Sequence, residues 1–458
     1  MLVLQIVHER FLHHHRFRFA PPCCVACNPH PFGLSYTRII PELSTGGFRK
    51  MLESIRTVSV KTTWERPYIP VGGLERAYLL VEVRGSGTRR GERPPLNLAL
   101  VLDRSGSMAG APIEYSKRAC RFVADQMREG DRLRLVAFDD EVQTIDPPTK
   151  ERIAAIQPGG STNLSGGLME GAQQVRRSVA SGTTNRVILL SDGHANHGIT
   201  SKPKLGAIAK EYLAAGVSVT TMGVGDGFDE ELLETIAELG GGRFYYIGTA
   251  EEIPSIFERE LDGLLSTVAH NLKLTLRPAE GTSVTNVYGA ASESDSRGTI
   301  VSLGDLGDGA VKTLLVELSI ESGRPGRRTA LALAWEYADV TDGAEHCRFA
   351  AELPVEFTND GALLSLPRDP EVTKQAELTR SALAIESAMA ALDGGRSEEG
   401  QRLLREQAER LREMASALNA PSLAAESELL SEQLESFSYD RAARKKLHAQ
   451  KYRQMKGK

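Results

Sequence analysis

Asp103-Arg104-Ser105-Gly106-Ser107 sets one carboxylate and two hydroxyls within five residues, directly after an apolar run at 96–102. Such a run, rich in branched residues and closed by a polar turn, reads as a buried strand of a parallel sheet. The turn then lies at the carboxyl end of a strand, where open α/β sheets bind their ligands. Two later segments supply partners. Thr162 lies in the flexible loop Pro158-Gly159-Gly160-Ser161-Thr162, just ahead of a helical pattern, and Asp192 follows the apolar run at 187–190. Two carboxylates and three neutral hydroxyls suit a hard, oxygen-seeking cation such as Mg²⁺ or Mn²⁺.

The set Asp103, Ser105, Ser107, Thr162 and Asp192 reads DxSxS…T…D, in order and in strand-end or loop contexts. In this the sequence resembles the von Willebrand factor type A domain with its metal-ion-dependent adhesion site. The resemblance covers roughly residues 96–267, and the flanks look like bacterial members of that family and the inter-alpha-trypsin-inhibitor heavy-chain type. It implies a divalent-metal site that binds an acidic group presented by another protein. In adhesive relatives the helix matching the stretch 251–265 shifts when the ion gains an external carboxylate; a static helix packed on the sheet is the first expectation here, and such a switch is the alternative that the resemblance suggests.

Coordination chemistry stands beside the resemblance. Mg²⁺ takes six oxygens and gives up water reluctantly. Hydroxyls of Ser105, Ser107 and Thr162 bring dipoles without charge, while Asp103 and Asp192 act partly through water and by orienting those hydroxyls. An ion so held stays electrophilic, with one position open to an outside carboxylate. The competing account, turn and cap residues with no ion, requires five matching positions to arise from turn chemistry alone.

Rival functions share parts of this pattern. A metal-assisted hydrolase would need further carboxylate or imidazole ligands; His194 and His197 follow Asp192 but read as rim residues. Ser105 and Ser107 lie in no G-x-S-x-G context, so a non-enzymatic docking scaffold is the expected class. A secreted adhesin would share the site and differ in compartment. No apolar run reaches the 18 or so residues of a membrane span. The amino terminus reads as no secretory signal, because His8-Glu9-Arg10 and His13-His14-His15 interrupt its apolar start. Five cysteines, unevenly placed, suggest no disulfide framework, so the expected location is cytoplasmic. A net charge of −5 gives no reason to expect nucleic acid as a partner.

The elements that must position the site follow from pattern. At 458 residues, about three domains are expected. Residues 1–50 show no regular period and read as a disordered extension, with Met51 an alternative start; Cys24, Cys27 and His30 are at most half a zinc site. Residues 51–95 hold the first strands of a β-sandwich. Residues 96–267 alternate strand and helix, which implies a doubly wound, mostly parallel sheet with helices on both faces. Across 268–360 the period returns to two, as in an antiparallel sandwich. The strands before residue 84 have no other home, so the α/β domain is expected to be inserted into that sandwich. Residues 361–440 read as helical. Leu378, Ala382, Ile385, Met389 and Leu392 make one stripe, Gly394-Gly395 stops it, and Leu404, Ala408, Leu411, Ala415 and Leu418 make the next, giving a helical hairpin. Residues 441–458 form a basic tail that reads as solvated. Cys120 and Cys347 read as small packing residues, Asp139-Asp140-Glu141 as a hairpin loop, and Gly223–Gly227 as a turn.

Overall fold

The computed structural model describes residues 40–43, 49–55, 57–87, 93–180, 182–225, 227–296, 298–341, 345–435 and 439–456. Strands Ile40–Leu43 (β1), Arg49–Ile55 (β2), Val58–Trp64 (β3), Tyr68–Pro70 (β4) and Leu74–Gly85 (β5) come first. Of the expected 1–50 extension, only β1 and the start of β2 fall within the described residues; Cys24, Cys27 and His30 lie outside them.

The α/β domain then runs β6 (Leu96–Asp103), α1 (Ala111–Asp125), β7 (Arg132–Phe138), β8 (Val142–Ile145), α2 (Lys150–Ala154), α3 (Leu164–Arg176), β9 (Thr184–Ser191), α4 (Lys202–Ala214), β10 (Ser218–Val224), α5 (Glu230–Leu239), β11 (Gly241–Ile247) and α6 (Ile253–Leu265). Its sheet has the order β11-β10-β9-β6-β7-β8, parallel except for the edge strand β8. β6 is buried along its whole length. Its period of two divides it between two cores: Leu96, Leu98, Leu100 and Leu102 pack with α1 and α6, whereas Ala99 and Val101 pack with α3. Each such fully buried Leu is worth about 1.5–3 kcal/mol over exposure. α6 begins with Pro254 in its first turn and turns Ile253, Ile256, Phe257, Leu261 and Leu264 inward.

The glycines of α3 leave it room against the sheet that side chains would not. A Cβ on Gly171 would lie 2.3 Å from Val101 Cγ2, and one on Gly167 would lie 2.5 Å from the Phe138 ring. Four residues apart, they form one bare helical stripe. The approach matters for the site, since Thr162 stands immediately before α3.

Beyond the insertion come β12 (Thr267–Pro278), β13 (Thr282–Tyr288), β14 (Ser292–Asp295), β15 (Gly298–Gly307), β16 (Val311–Ile320), β17 (Gly326–Asp339) and β18 (Glu345–Thr358). Among the described residues the two further sheets are β1-β2-β3-β5-β16-β13 and β14-β15-β12-β17-β18-β4. Early and late strands share both: β5 pairs with β16 and β4 with β18. Their inner faces form one core, in which Val60, Val81 and Trp64 join Leu274, Leu314, Val316 and Trp335. The α/β domain is therefore inserted between two halves of one sandwich. Period-two reading missed β13 and β14, whose residues are largely exposed or half-buried and carry no apolar alternation.

Helices Gly361–Leu364 (α7), Pro370–Asp393 (α8), Ser397–Leu418 (α9), Pro421–Glu435 (α10) and Arg441–Met455 (α11) complete the described chain. The α8 stripe from Leu378 to Leu392 is buried. α8 ends as the glycines require: Gly395 has φ +75°, its N–H bonds to the Leu392 carbonyl, and the Arg396 N–H bonds to the Ala391 carbonyl. The α8–α9 hairpin forms as expected, and α10 and α11 extend it. One expectation is corrected here: the basic tail is a docked helix rather than a solvated one. Lys445, Leu447, His448, Gln450 and Gln454 of α11 are all buried. The Lys445 ammonium donates to the Phe228 carbonyl at 2.7 Å and to Glu230 at 3.0 Å, while Arg444 pairs with Glu230, Glu231 and Asp393. Among the described residues no helix is long and apolar enough to cross a membrane.

Candidate metal centre

Asp103 is the last residue of β6 and is completely buried. Its two oxygens have separate partners. Oδ1 accepts the Ser105 N–H at 2.8 Å, and Oδ2 accepts the Ser191 hydroxyl at 2.5 Å. Burial nonetheless pushes its pKa up to about 6, against the lowering effect of those two bonds. The bond to its own N+2 amide turns the chain sharply, so that Ser105 and Ser107 come together with their hydroxyl oxygens 3.1 Å apart.

The second carboxylate arrives from the next strand. Asp192 follows β9, and its Oδ1 accepts the Ser107 hydroxyl at 2.7 Å. Burial raises its pKa as well, with Ser107 opposing. Thr162 closes the group. A Cβ on Gly193 would stand 3.2 Å from Thr162 Oγ1 and 3.6 Å from Ser107 Oγ, so both hydroxyls border the same point beside Asp192. The structure thus brings all five sequence-derived residues to one end of β6 and β9. Ser105 and Thr162 are buried, and Ser107 is exposed at the mouth.

Several residues that the sequence reading left without a role hold this arrangement. Ser191 orients Asp103. Asn196 accepts the Thr162 N–H at 2.8 Å, while the Asn196 and His197 amides donate to the Thr162 carbonyl. Gly160 has φ +58°, and a Cβ there would lie 1.7 Å from Asp140 Oδ1, so a side chain at this position would be strained and would displace Asp140. Its carbonyl accepts the Gly106 N–H, tying the Thr162 loop to the Ser105 turn. Asp139-Asp140-Glu141 is the β7–β8 hairpin loop, but it also braces the site. Asp139 pairs with Arg104 at 3.1 Å, and its carbonyl accepts the Asn163 N–H at 2.8 Å. Spacing alone carries no signal for these second contacts. His194 and His197 are exposed on the loop after Asp192. Gly223 and Gly225 belong to the end of β10 and the turn after it; Asp226 lies outside the described residues.

The donor set fits a hard cation. Three hydroxyls and two carboxylates face one another, and both carboxylates are held under a desolvation load that a bound cation would relieve. Among the described residues no three of His, Cys, Asp and Glu converge, so an ion here would have to draw its remaining donors from the hydroxyls.

Residues 97–259 match the family model of the von Willebrand factor type A domain. The chain contains such a domain. Protein sll0103 of Synechocystis is 29% identical over 284 residues, covering 58% of this chain and 67% of its own length. Human inter-alpha-trypsin inhibitor heavy chain H3 is 27% identical over 194 residues, covering 38% of this chain and 22% of its own length. The chain thus spans about two thirds of the first relative and under a quarter of the second. A von Willebrand factor type A structure from Catenulispora acidiphila aligns over 91% of this chain and 99% of its own, with a TM-score of 0.70 at 16% identity. That likeness extends the shared fold beyond the type A domain to most of the flanking sandwich and helices.

Proposed function

We propose that the type A domain is a metal-dependent docking module with no enzymatic role. Mg²⁺ or Mn²⁺ would be held by Ser105, Ser107 and Thr162, with Asp103 and Asp192 acting partly through water and by orienting those donors. The ion supplies an electrophilic position for a carboxylate of a partner protein. The observation that carries this reading is the meeting of Ser105, Ser107, Thr162 and Asp192 around one point, with Asp103 buried behind them. A site with three uncharged donors leaves the ion under-neutralised, which favours capture of an anionic group from outside.

The test is thermal unfolding and calorimetry of the full chain with each ion. Mg²⁺ at 100 times its Kd should add about 2.7 kcal/mol of stability. Asp103→Ala and Thr162→Ala should abolish that gain while preserving the fold. With Mn²⁺, acetate or an acidic peptide should reduce the water-proton relaxation enhancement as it displaces metal-bound water. Absence of divalent binding up to tens of millimolar would falsify the reading.

A further inference from the structure

We propose that a small phosphate-like oxyanion binds in a cavity where the type A domain, the sandwich and the carboxyl-terminal helix meet. The cavity measures about 100 Å³, well above the roughly 10–15 Å³ that one water needs. Three parts of the fold each bring a cation to its wall: Arg243 from β11, Lys312 from β16 and Lys456 immediately after α11. The opposing charge is smaller. Glu238 is the acidic residue in the lining, and it is already engaged by Lys456 at 2.8 Å.

Lys312 is the decisive group. Its ammonium donates to the Leu303 carbonyl, and the carboxylate that acts on it, Asp305, is already held by Arg186 at 2.8 Å and His270 at 3.0 Å. Arg243 is also weakly balanced, with Glu260 4.0 Å away and the Tyr245 hydroxyl at 3.4 Å. Like charges gathered in one partly enclosed cavity, with Arg243 39% and Lys456 19% exposed, repel one another, and an anion joining them relieves that repulsion. Lys312, half-buried, feels this most, and its pKa is pushed down to about 7 by burial. The backbone also leaves room. Gly289 has φ +102°, and a Cβ there would sit 2.4 Å from the Thr313 carbonyl, so this wall stays bare.

The geometry favours a tetrahedral dianion over a carboxylate. Donors converge from three elements, and four oxygens can meet them in different directions, whereas a planar carboxylate presents two oxygens on one edge. The proposal does not depend on the metal centre, which lies at the opposite, carboxyl ends of the parallel strands.

The test titrates inorganic phosphate into the full chain at constant ionic strength with EDTA present, read by calorimetry and by thermal unfolding. Saturable binding with a rise in Tm is expected. Lys312→Met, which keeps a straight chain, should fold with equal or greater stability yet bind phosphate at least ten-fold more weakly. Arg243→Gln should also weaken binding, and Lys273→Gln, an exposed control on β12, should leave it unchanged. Acetate should compete poorly, and phenyl phosphate, with the same head but more bulk, should fail to compete. Equal phosphate binding by wild type and Lys312→Met would overturn the proposal. So would equal affinity for acetate or phenyl phosphate, or no saturable binding at tens of millimolar.

Discussion

The Ser191 hydroxyl donates to Asp103 Oδ2 at 2.5 Å, joining the carboxyl ends of two neighbouring parallel strands. Asp103 is wholly buried, so this bond is its main side-chain support. Ser191→Ala should destabilise the protein by about 1–3 kcal/mol, the cost of leaving a buried acceptor unsatisfied. It should also weaken Mg²⁺ binding by about 10–100-fold, as loss of a ligand-orienting partner does. Calorimetric titration checks both; unaltered metal affinity would show that Asp103 needs no such orientation.

Metal affinity should depend on acidity in a defined direction. The Asp103 carboxyl of the metal-free protein has its pKa raised from 3.8 to about 6. Between those values the native state holds a proton that the unfolded chain has released. Asp103 therefore lends stability below pH 3.8 or so relative to high pH, and that contribution fades as pH rises through about 6. Mg²⁺ requires the ionised form, so its affinity should fall about ten-fold per pH unit well below 6. Titrations at pH 7.5, 6 and 5 measure this. A flat profile across that range rules out Asp103 ionisation as the linked event.

Gly171→Ala should perturb the site from a distance. The added methyl meets Val101 Cγ2 at 2.3 Å, and overpacking of this kind costs about 1–3 kcal/mol, against a helix-propensity gain of about 1. α3 must move outward, taking Thr162 with it. The expected result is a modest loss of stability with a larger loss of Mg²⁺ affinity, whereas an exposed-face change such as Gln173→Ala should alter neither.

Docking of α11 rests on charge. Lys445 is 4% exposed and Glu230 6%, and the pair is joined at 3.0 Å. Lys445→Met should cost about 3–5 kcal/mol of local stability, because Glu230 is left buried and under-compensated. Hydrogen exchange over residues 441–456 should accelerate accordingly. Lys445→Met combined with Glu230→Met should recover part of the loss. If exchange is unchanged in the single variant, the contact contributes little to holding the helix.

The α/β domain was legible because one strand, β6, carries both signals at once: alternation into two cores and a ligand-bearing turn at its end. The insertion was legible from a deficit, the absence of partners for strands before residue 84. α11 was not legible. Its buried face is Lys445, His448, Gln450 and Gln454 beside a single Leu447, so hydrophobic periodicity has little to register and net positive charge reads as solvation. The supporting contacts of the candidate site were hidden for a related reason. Ser191, Asn196 and Asp139 act through residues remote in sequence, and no local spacing encodes that.

The inserted arrangement has a mechanical consequence. The candidate site lies at the carboxyl ends of β6 and β9, while both chain connections to the sandwich lie at the opposite end, before Leu96 and after Leu265. There Arg186 of β9 is clamped to Asp305 at 2.8 Å, and His270 holds the same carboxylate. Tension applied through a partner at Asp192 or Ser107 would run lengthwise down two adjacent central strands. It would arrive at two covalent tethers and a buried ionic clamp together, so the domain would be loaded in shear as a unit instead of being peeled open strand by strand.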